Sequence, residues 1–405
     1  MLFKRLLERL NPGLAIALVL SLLAACAPVK KPGPPPAMVR LQPEEYPQFG
    51  DALNYDRLGA GIEESLTYLR KLPPDRKMRY GADRFSVAHI MRTLETFAEE
   101  ISAHPSAGQL NRVLGRDYWI YRAAGSDGQG TVLVTGYYEP VLQGSAIPTA
   151  EFSVPVRSRP ADLVDIDLSL FDPSLGGRRI VGKYTGATVV PYPDRAEMRH
   201  IGNFNAIAPP IAWLADEVDL FILQIQGSGK IRLPDGRMLH VRYNGSNGLP
   251  YRSIGRALID QRKIGPKAMS MQAIRTYLRD HPDEARAIMD HNPRYIFFKT
   301  SIAGPFGALG RPLTPMRSIA VDRGIFPSAA LAFLSTQVPS VDGQGQVQGW
   351  EAYGAFALAQ DAGSAIKGPG RVDLFWGDGL RAEQAAGRLK NRGALYFLVL
   401  KAGAD

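Results

Sequence analysis

The sequence predicts a mainly β chain with peripheral helices, divided between two domains. Three observations carry that expectation. A chain of 405 residues, 45% hydrophobic and 21% charged, is long enough for two separate cores. Strand-like runs dominate the middle of the chain and return near its end. Apolar residues at helical spacing are confined to the first third and to short stretches between strands. Strands on both sides of a β-rich middle suggest one domain interrupted by another.

Taken in order, the N-terminus places Lys4, Arg5 and Arg9 before an apolar run from residue 14 to 25, followed by Leu23-Ala24-Ala25-Cys26. This reads as a secretory leader, residues 1–26, with a lipobox. Cys26, the sole cysteine, would be lipidated and become the mature N-terminus, so the expected anchor is lipid rather than a spanning helix. Ala27 in place of aspartate favours the outer membrane; the alternative is a soluble periplasmic protein cleaved after Ala25. Residues 27–45 read as a Pro-rich tether. Residues 61–72 and 85–102 show helical spacing, and Val87, Ile90, Met91, Leu94, Phe97, Ala98 and Ile101 form one face of the second.

The first strong strand is predicted at 131–138, and strand character persists to about 243, including 221–226 before the turn at Gly227. Strands 230–233 and 237–243 flank Pro234-Asp235-Gly236, a hairpin turn in which Pro presets φ and Gly tolerates a positive one. Short helices are expected at 253–261, 270–278 and 282–290, the last with Pro282 at its first position. Strands return at 294–299, 319–322, 372–376 and 394–400, with a helix at 381–390.

Several chemistries fail on spacing. Gly227-Ser228-Gly229-Lys230 lacks the earlier glycine of a phosphate-binding loop and is followed by Ile231 instead of Ser or Thr. Ser228 and Ser246 lack a nucleophile-elbow context. The six histidines show no ligand spacing, so no metal and no cofactor is expected. The formal charge of +9 comes without basic runs interleaved with aromatics. Nucleic acid is therefore a poor partner; an acidic polymer or anionic lipid suits the charge better, as does simple solubility.

The richest stretch is 360–379, QDAGSAIKGPGRVDLFWGDG. Its strand at 372–376 would put Arg371, Asp373 and Phe375 on one face, where a carboxyl would be poorly solvated. Gly363, Gly368 and Gly370 precede it and would let the loop wrap a ligand. A glycine-rich turn with incidental surface aspartates is the competing reading. A third aspartate, Asp322, ends the run RSIAVD at 317–322.

The pieces SIAVDRG (318–324), QDAGSAIKG (360–368) and RVDLFWG (371–377) resemble the "3D" domain, named for three aspartates. Upstream, TGYYEP (135–140), DLFILQIQGSGKI (219–231), YNGSNGLPYRSIG (243–255), NPRYIFF (292–298) and GALGRPLTPMRSIAVDR (307–323) follow in the order found in the MltA family of lytic transglycosylases. The resemblance covers roughly residues 50–402. It departs from the family at Ala362 and Ser364, where Thr and Gly are usual; a left-handed Ser364 would cost about 1 kcal/mol.

That resemblance implies a double-psi β-barrel from 46–140 and 285–403, interrupted by a second β-barrel domain at 141–284, with a substrate groove between them. It also implies cleavage of the β-1,4 bond between N-acetylmuramic acid and N-acetylglucosamine in peptidoglycan, leaving 1,6-anhydromuramic acid ends. Such an enzyme needs one carboxyl, because the muramic acid's own C6 hydroxyl is the nucleophile and the attack is intramolecular. By the resemblance Asp373 is that general acid and base, Asp361 and Asp322 support it, and Thr135, Gly136, Tyr137, Tyr138, Gln226, Gly227, Ser228 and Lys367 bind substrate. The expected setting is the periplasmic face of the outer membrane, with peptidoglycan glycan strands as partner and complexes with other cell-wall enzymes. Two rivals stand beside this: an inverting hydrolase pairing Asp373 with Asp322 or Asp361, and a non-catalytic glycan-binding lipoprotein. A calcium site on the three aspartates is a lesser alternative.

Overall fold

The structure is a computed structural model that describes residues 36–402; the leader, Cys26 and the first part of the tether lie outside the described residues. Along the chain come β1 (Met38–Arg40), helix α1 (Leu58–Leu69), the hairpin β2 (Lys77–Tyr80) and β3 (Asp83–Ser86), and helices α2 (Val87–Ser102) and α3 (Ala107–Asp117). Then follow β4 (Tyr118–Ala123), β5 (Val132–Glu139), β6 (Val141–Ser145), β7 (Val154–Arg157), β8 (Leu163–Asp167), β9 (Arg179–Tyr184) and β10 (Val189–Pro191). The middle continues with α4 (Phe204–Ile207), β11 (Pro210–Leu214), α5 (Glu217–Gln226), β12 (Ser228–Arg232), β13 (Met238–Ser246), α6 (Ile254–Asp260), α7 (Met271–Asp280), α8 (Pro282–Asp290) and β14 (Ile296–Ser301). The last part holds β15 (Ser318–Ala320), β16 (Leu331–Val341), β17 (Val347–Asp361), β18 (Arg371–Asp378), α9 (Gly379–Arg388) and β19 (Lys390–Leu400).

Six of these strands close into a barrel in the order β5-β18-β15-β17-β16-β19, with β19 returning to β5. Two pairings, β18 with β5 and β15 with β17, are parallel, and the others are antiparallel. Closure brings backbones close: a Cβ on Gly393 would lie 2.4 Å from the Ser335 carbonyl oxygen, so only glycine fits where β19 crosses between neighbours. The α2 helix covers this barrel with the predicted apolar face, of which Val87, Ile90, Leu94, Phe97 and Ile101 are buried. Ser86 caps it, its hydroxyl accepting from the His89 amide.

A second six-stranded sheet runs β14-β13-β12-β6-β11-β7, and a bridge between Ser158 and Phe298 brings its two ends together. Both sheets belong to one unit, Ala37–Asp405, rather than to separable bodies. The expected mainly β architecture of two barrels is present, with the helices at the periphery of the strands.

Four expectations change. The end of the supposed tether is a strand: β1 pairs with β4, because Met38 and Leu41 are apolar anchors that enter the core behind the prolines. Residues 221–226 are helical, not extended. Asp216 caps α5 by accepting from the Asp219 amide, and Gly227 ends it at φ 80°, so two strong end signals fix the apolar run as a helix. Strand β14 pairs with β13, so the second sheet runs on to Ser301, past residue 285. A long hairpin of β16 and β17 stands where the sequence predicts no strand.

Candidate active site

β18 lies parallel to β5 with Asp373 opposite Thr135 and Phe375 opposite Tyr137. Alternation along both strands sends Arg371, Asp373, Thr135 and Tyr137 to one side, as the sequence predicted for the first two. They line a cleft of about 210 Å³. Asp373 is partly exposed to it, while its Oδ1 is buried and has no hydrogen-bond partner among the described residues. Burial raises the carboxyl to about 6; the Thr135 hydroxyl and the Arg371 charge pull it down, and Asp361 adds a smaller push upward. The Thr135 hydroxyl is buried beside it, close enough to act on the carboxyl although it falls short of hydrogen-bond geometry.

Asp361, at the end of β17, is differently placed. Its Oδ2 accepts from the Tyr137 hydroxyl at 2.8 Å, and its Oδ1 accepts from the amides of Ala308 and Ala362, each at 2.8 Å. Burial pushes this carboxyl above the usual carboxylate range, against those three donors. Tyr137 is thereby fixed, its ring 5.2 Å from Phe375. Asp322 follows β15 and pins loops: its oxygens accept from Gly324 at 3.0 Å and Gly368 at 2.9 Å, and Lys367 lies 3.9 Å away. Gly368 is left-handed at φ 76°, whereas Gly363, Ser364 and Gly370 are not, so Ser364 carries no left-handed strain. Among the described residues no three of His, Cys, Asp or Glu are grouped as metal ligands would be.

Of the other expected substrate contacts, Thr135, Gly136, Tyr137 and Gln226 line the cleft. Tyr138 lines an adjoining cavity of about 340 Å³ that shares Gly136, Gln226 and Tyr251 with it. Its ring is buried against Ala382 and Ala386 of α9, and its amide donates to Gln226 Oε1 at 3.2 Å. The structure does not bring Gly227, Ser228 or Lys367 to the cleft: Gly227 terminates α5, Ser228 opens β12 opposite Arg242, and Lys367 is mostly exposed.

The opposite wall comes from the second sheet and its helices, and sequence reading missed its key members. Arg195 is buried; it donates to Gln224 Oε1 at 2.6 Å, to the Asn292 carbonyl at 3.0 Å and to the Arg294 carbonyl at 2.6 Å. Gln224 in turn donates to the Ile296 carbonyl at 3.2 Å. This fully bonded network fixes Arg195, Gln224, Asn292 and Arg294 in the cleft wall facing Asp373. No local motif marks Arg195; the one available signal is NPRY at 292–295, which the sequence offers as part of the family resemblance and as the approach to a strand, without marking it as a wall of the site.

Gly136 sets the width between the cleft and α9. A Cβ there would lie 2.7 Å from Ala386 Cα and 2.8 Å from the Trp376 indole nitrogen. Gly136→Ala should therefore destabilise the protein by about 1–3 kcal/mol, the range for overpacking, measured as a drop in thermal midpoint. An unchanged midpoint would show that α9 yields freely.

Residues 133–299 match the MltA specific insert domain and residues 317–399 the 3D domain. The chain is 34% identical over 298 residues to membrane-bound lytic murein transglycosylase A of Escherichia coli K12, covering 72% of each. A crystal structure of the membrane-bound lytic murein transglycosylase from Agrobacterium tumefaciens superposes with a TM-score of 0.73 at 32% identity, over 90% of this chain and 98% of that one. Escherichia coli MltA with bound chitohexaose superposes with a TM-score of 0.67 at 26% identity, over 92% and 97%. A barrel strand carrying Asp373, an insert supplying the facing wall and this extent of identity lead to one conclusion: the chain belongs to the membrane-bound lytic murein transglycosylase A family.

Proposed function

We propose that this lytic murein transglycosylase cleaves the β-1,4 bond after N-acetylmuramic acid with Asp373 as its one acid–base group. The observation that carries the assignment is the hydrogen bonding of the three aspartates. The carboxylates of Asp361 and Asp322 are held by donors, whereas Asp373 Oδ1 is buried and unpartnered in the cleft. Protonated Asp373 gives its proton to the glycosidic oxygen as the C1–O bond breaks. The carboxylate then takes the proton of the C6 hydroxyl as O6 bonds to C1, so the acid is restored without water being consumed. Asp361 positions Tyr137, and Asp322 holds the 361–368 loop through Gly368 and Lys367. The relative that holds chitohexaose supports an oligosaccharide as the occupant of the cleft.

The wider setting follows the leader: lipid attachment at Cys26 to the outer membrane, facing the periplasm, with peptidoglycan strands within reach and other cell-wall enzymes as candidate partners. The domain assignment consistent with the sheets is a barrel built from both ends of the chain around an insert.

Mass spectrometry of digested peptidoglycan tests the reaction. Anhydromuropeptides are expected; products with free reducing ends would instead establish a hydrolase, and intact strands a binding protein. A pH profile tests the acid. Because Asp373 must be protonated to act and sits at about 6, kcat/KM should fall above that pH, and a flat profile from 5 to 8 would remove Asp373 from this role.

A further inference from the structure

Away from the catalytic cleft, the barrel carries a second concavity, of about 410 Å³, between the end of α1, strand β2 and the segment following Asp322. Its rim holds Arg76, Lys77, Arg79 and Arg323, and no carboxylate lines it. None of these four cations has an ion-pair partner among the described residues. Of the acids on the adjoining elements, Asp83 accepts from the Tyr121 hydroxyl at 2.7 Å and lies 3.5 Å from Arg40, Glu64 pairs with Arg311, and the Arg323 charge acts on Asp361 from beyond ion-pair distance. Within the hairpin, Arg79 directly faces Arg84 across the two strands. Like charges in that position oppose pairing, so folding alone does not account for them. Beneath the rim the floor is apolar, with Phe326 buried 5.0 Å from Phe397 of the barrel.

The concavity is tied to the catalytic residues by a short chain of bonds. Arg323 donates to the Ala308 carbonyl at 3.1 Å, and the Ala308 amide donates to Asp361, which holds Tyr137 in the cleft. Arg323 also directly follows Asp322, whose carboxylate fixes the loop lining that cleft.

We propose that this basic concavity binds the carboxylates of the peptide stem carried by the muramic acid lactyl group, so that the enzyme reads the acidic peptide as well as the glycan. The inference rests on peptidoglycan being the substrate. Guanidinium forks match carboxylates, and an apolar floor suits the alanine and methylene parts of a short peptide. A stem leaving a sugar in the catalytic cleft has several residues of extended chain, each spanning up to about 3.3–3.6 Å, with which to reach the rim.

The test uses the full chain and three substrates: stem-bearing glycan, the same glycan with its stem carboxylates converted to amides, and glycan freed of stems by an amidase. For Arg76→Gln/Lys77→Gln, exposed ion pairs being individually weak, KM on stem-bearing glycan should rise about twofold to tenfold with kcat unchanged. The rise should fade at high salt. On stem-free glycan the variant should match wild type, which also shows that it is folded. Wild-type KM should rise comparably when the carboxylates are amidated, an arm that needs no variant. Equal KM shifts on stem-bearing and stem-free glycan would make the concavity a glycan site and overturn the proposal, as would no shift on either. Absence of anhydro products from every substrate with wild-type protein would instead overturn the substrate reading beneath it.

Discussion

Asp373→Asn should abolish turnover on peptidoglycan while leaving glycan binding nearly intact. The amide keeps the shape of the side chain and its place opposite Thr135 on β5, but it neither delivers a proton to the leaving oxygen nor takes one from O6. General acid–base catalysis contributes about 10² to 10⁴ in rate, and one group here serves both steps, so the loss belongs at the upper end. Asp361→Asn should act differently. An amide oriented with its oxygen toward Tyr137 still accepts that bond but turns an NH2 toward the amides of Ala308 and Ala362, so the loop shifts and KM suffers with kcat. Single-turnover kinetics separates these effects. A folded Asp361→Asn with no chemistry, beside an Asp373→Asn retaining more than about a tenth of wild-type turnover, would move the acid to Asp361.

The same substitution carries a stability signature. Asp373 is raised above its ordinary value in the fold, to about 6, so between roughly pH 4 and 6 the native state binds more protons than the unfolded chain and stability falls as pH rises. Above about 6 the full cost of a buried charge is present. Asp373→Asn should therefore raise the thermal midpoint at pH 7, by on the order of 1–2 kcal/mol of stability after allowing for partial solvation. The gain should vanish near pH 4. A variant less stable than wild type at pH 7 would mean that the carboxylate is held by favourable contacts in the fold.

How much of this was legible in the sequence depends on how local the signal was. The hairpin at Pro234-Asp235-Gly236, the helix beginning at Pro282 and the face of α2 were readable because turn chemistry and period act within a few residues. Strands β16 and β17 were not. Residues 331–334 and 355–360 are buried without a break, so the alternation that marks a half-exposed strand is erased. Ala355, Ala357 and Ala359 add little β preference, and the one local cue, Asp342-Gly343 at the turn, was passed over. Asp361 therefore looked like part of a glycine loop, when it ends a 15-residue strand. The Arg195 wall is tertiary in origin, since its partners at 224, 292 and 294 lie far along the chain. Glycines and a strand beside Asp361 and Asp373 make that stretch readable as a built site, while the roles of the three aspartates come from the family resemblance.

The strands that end in those aspartates are secured by Arg317, and its loss should be the most damaging to stability of any substitution considered. Arg317 is fully buried immediately before β15. Its guanidinium forks onto Asp51 at 2.6 and 2.8 Å and donates to the carbonyls of Asp56 at 2.8 Å and Phe356 at 2.9 Å. Phe356 is on β17, so one side chain joins the strand leading to Asp322, the strand ending in Asp361 and the N-terminal segment before α1. Arg317→Met fills much of the same volume but leaves the Asp51 charge buried without its cation, which costs about 3–5 kcal/mol. Arg317→Lys should also destabilise, because a single ammonium does not reproduce the two-pronged contact. Adding Asp51→Leu to Arg317→Met should fail to restore stability. Asp51 also accepts from the amides of Leu53, Tyr55 and Phe356, at 3.0, 3.1 and 3.1 Å, and an apolar replacement orphans all three. Chemical denaturation of wild type, the two single variants and the double variant gives the ordering. If Arg317→Met were within about 1 kcal/mol of wild type, well short of the cost of breaking a buried pair, the strands would be held by the barrel's own packing, and Arg317 would be incidental to the placement of Asp322 and Asp361.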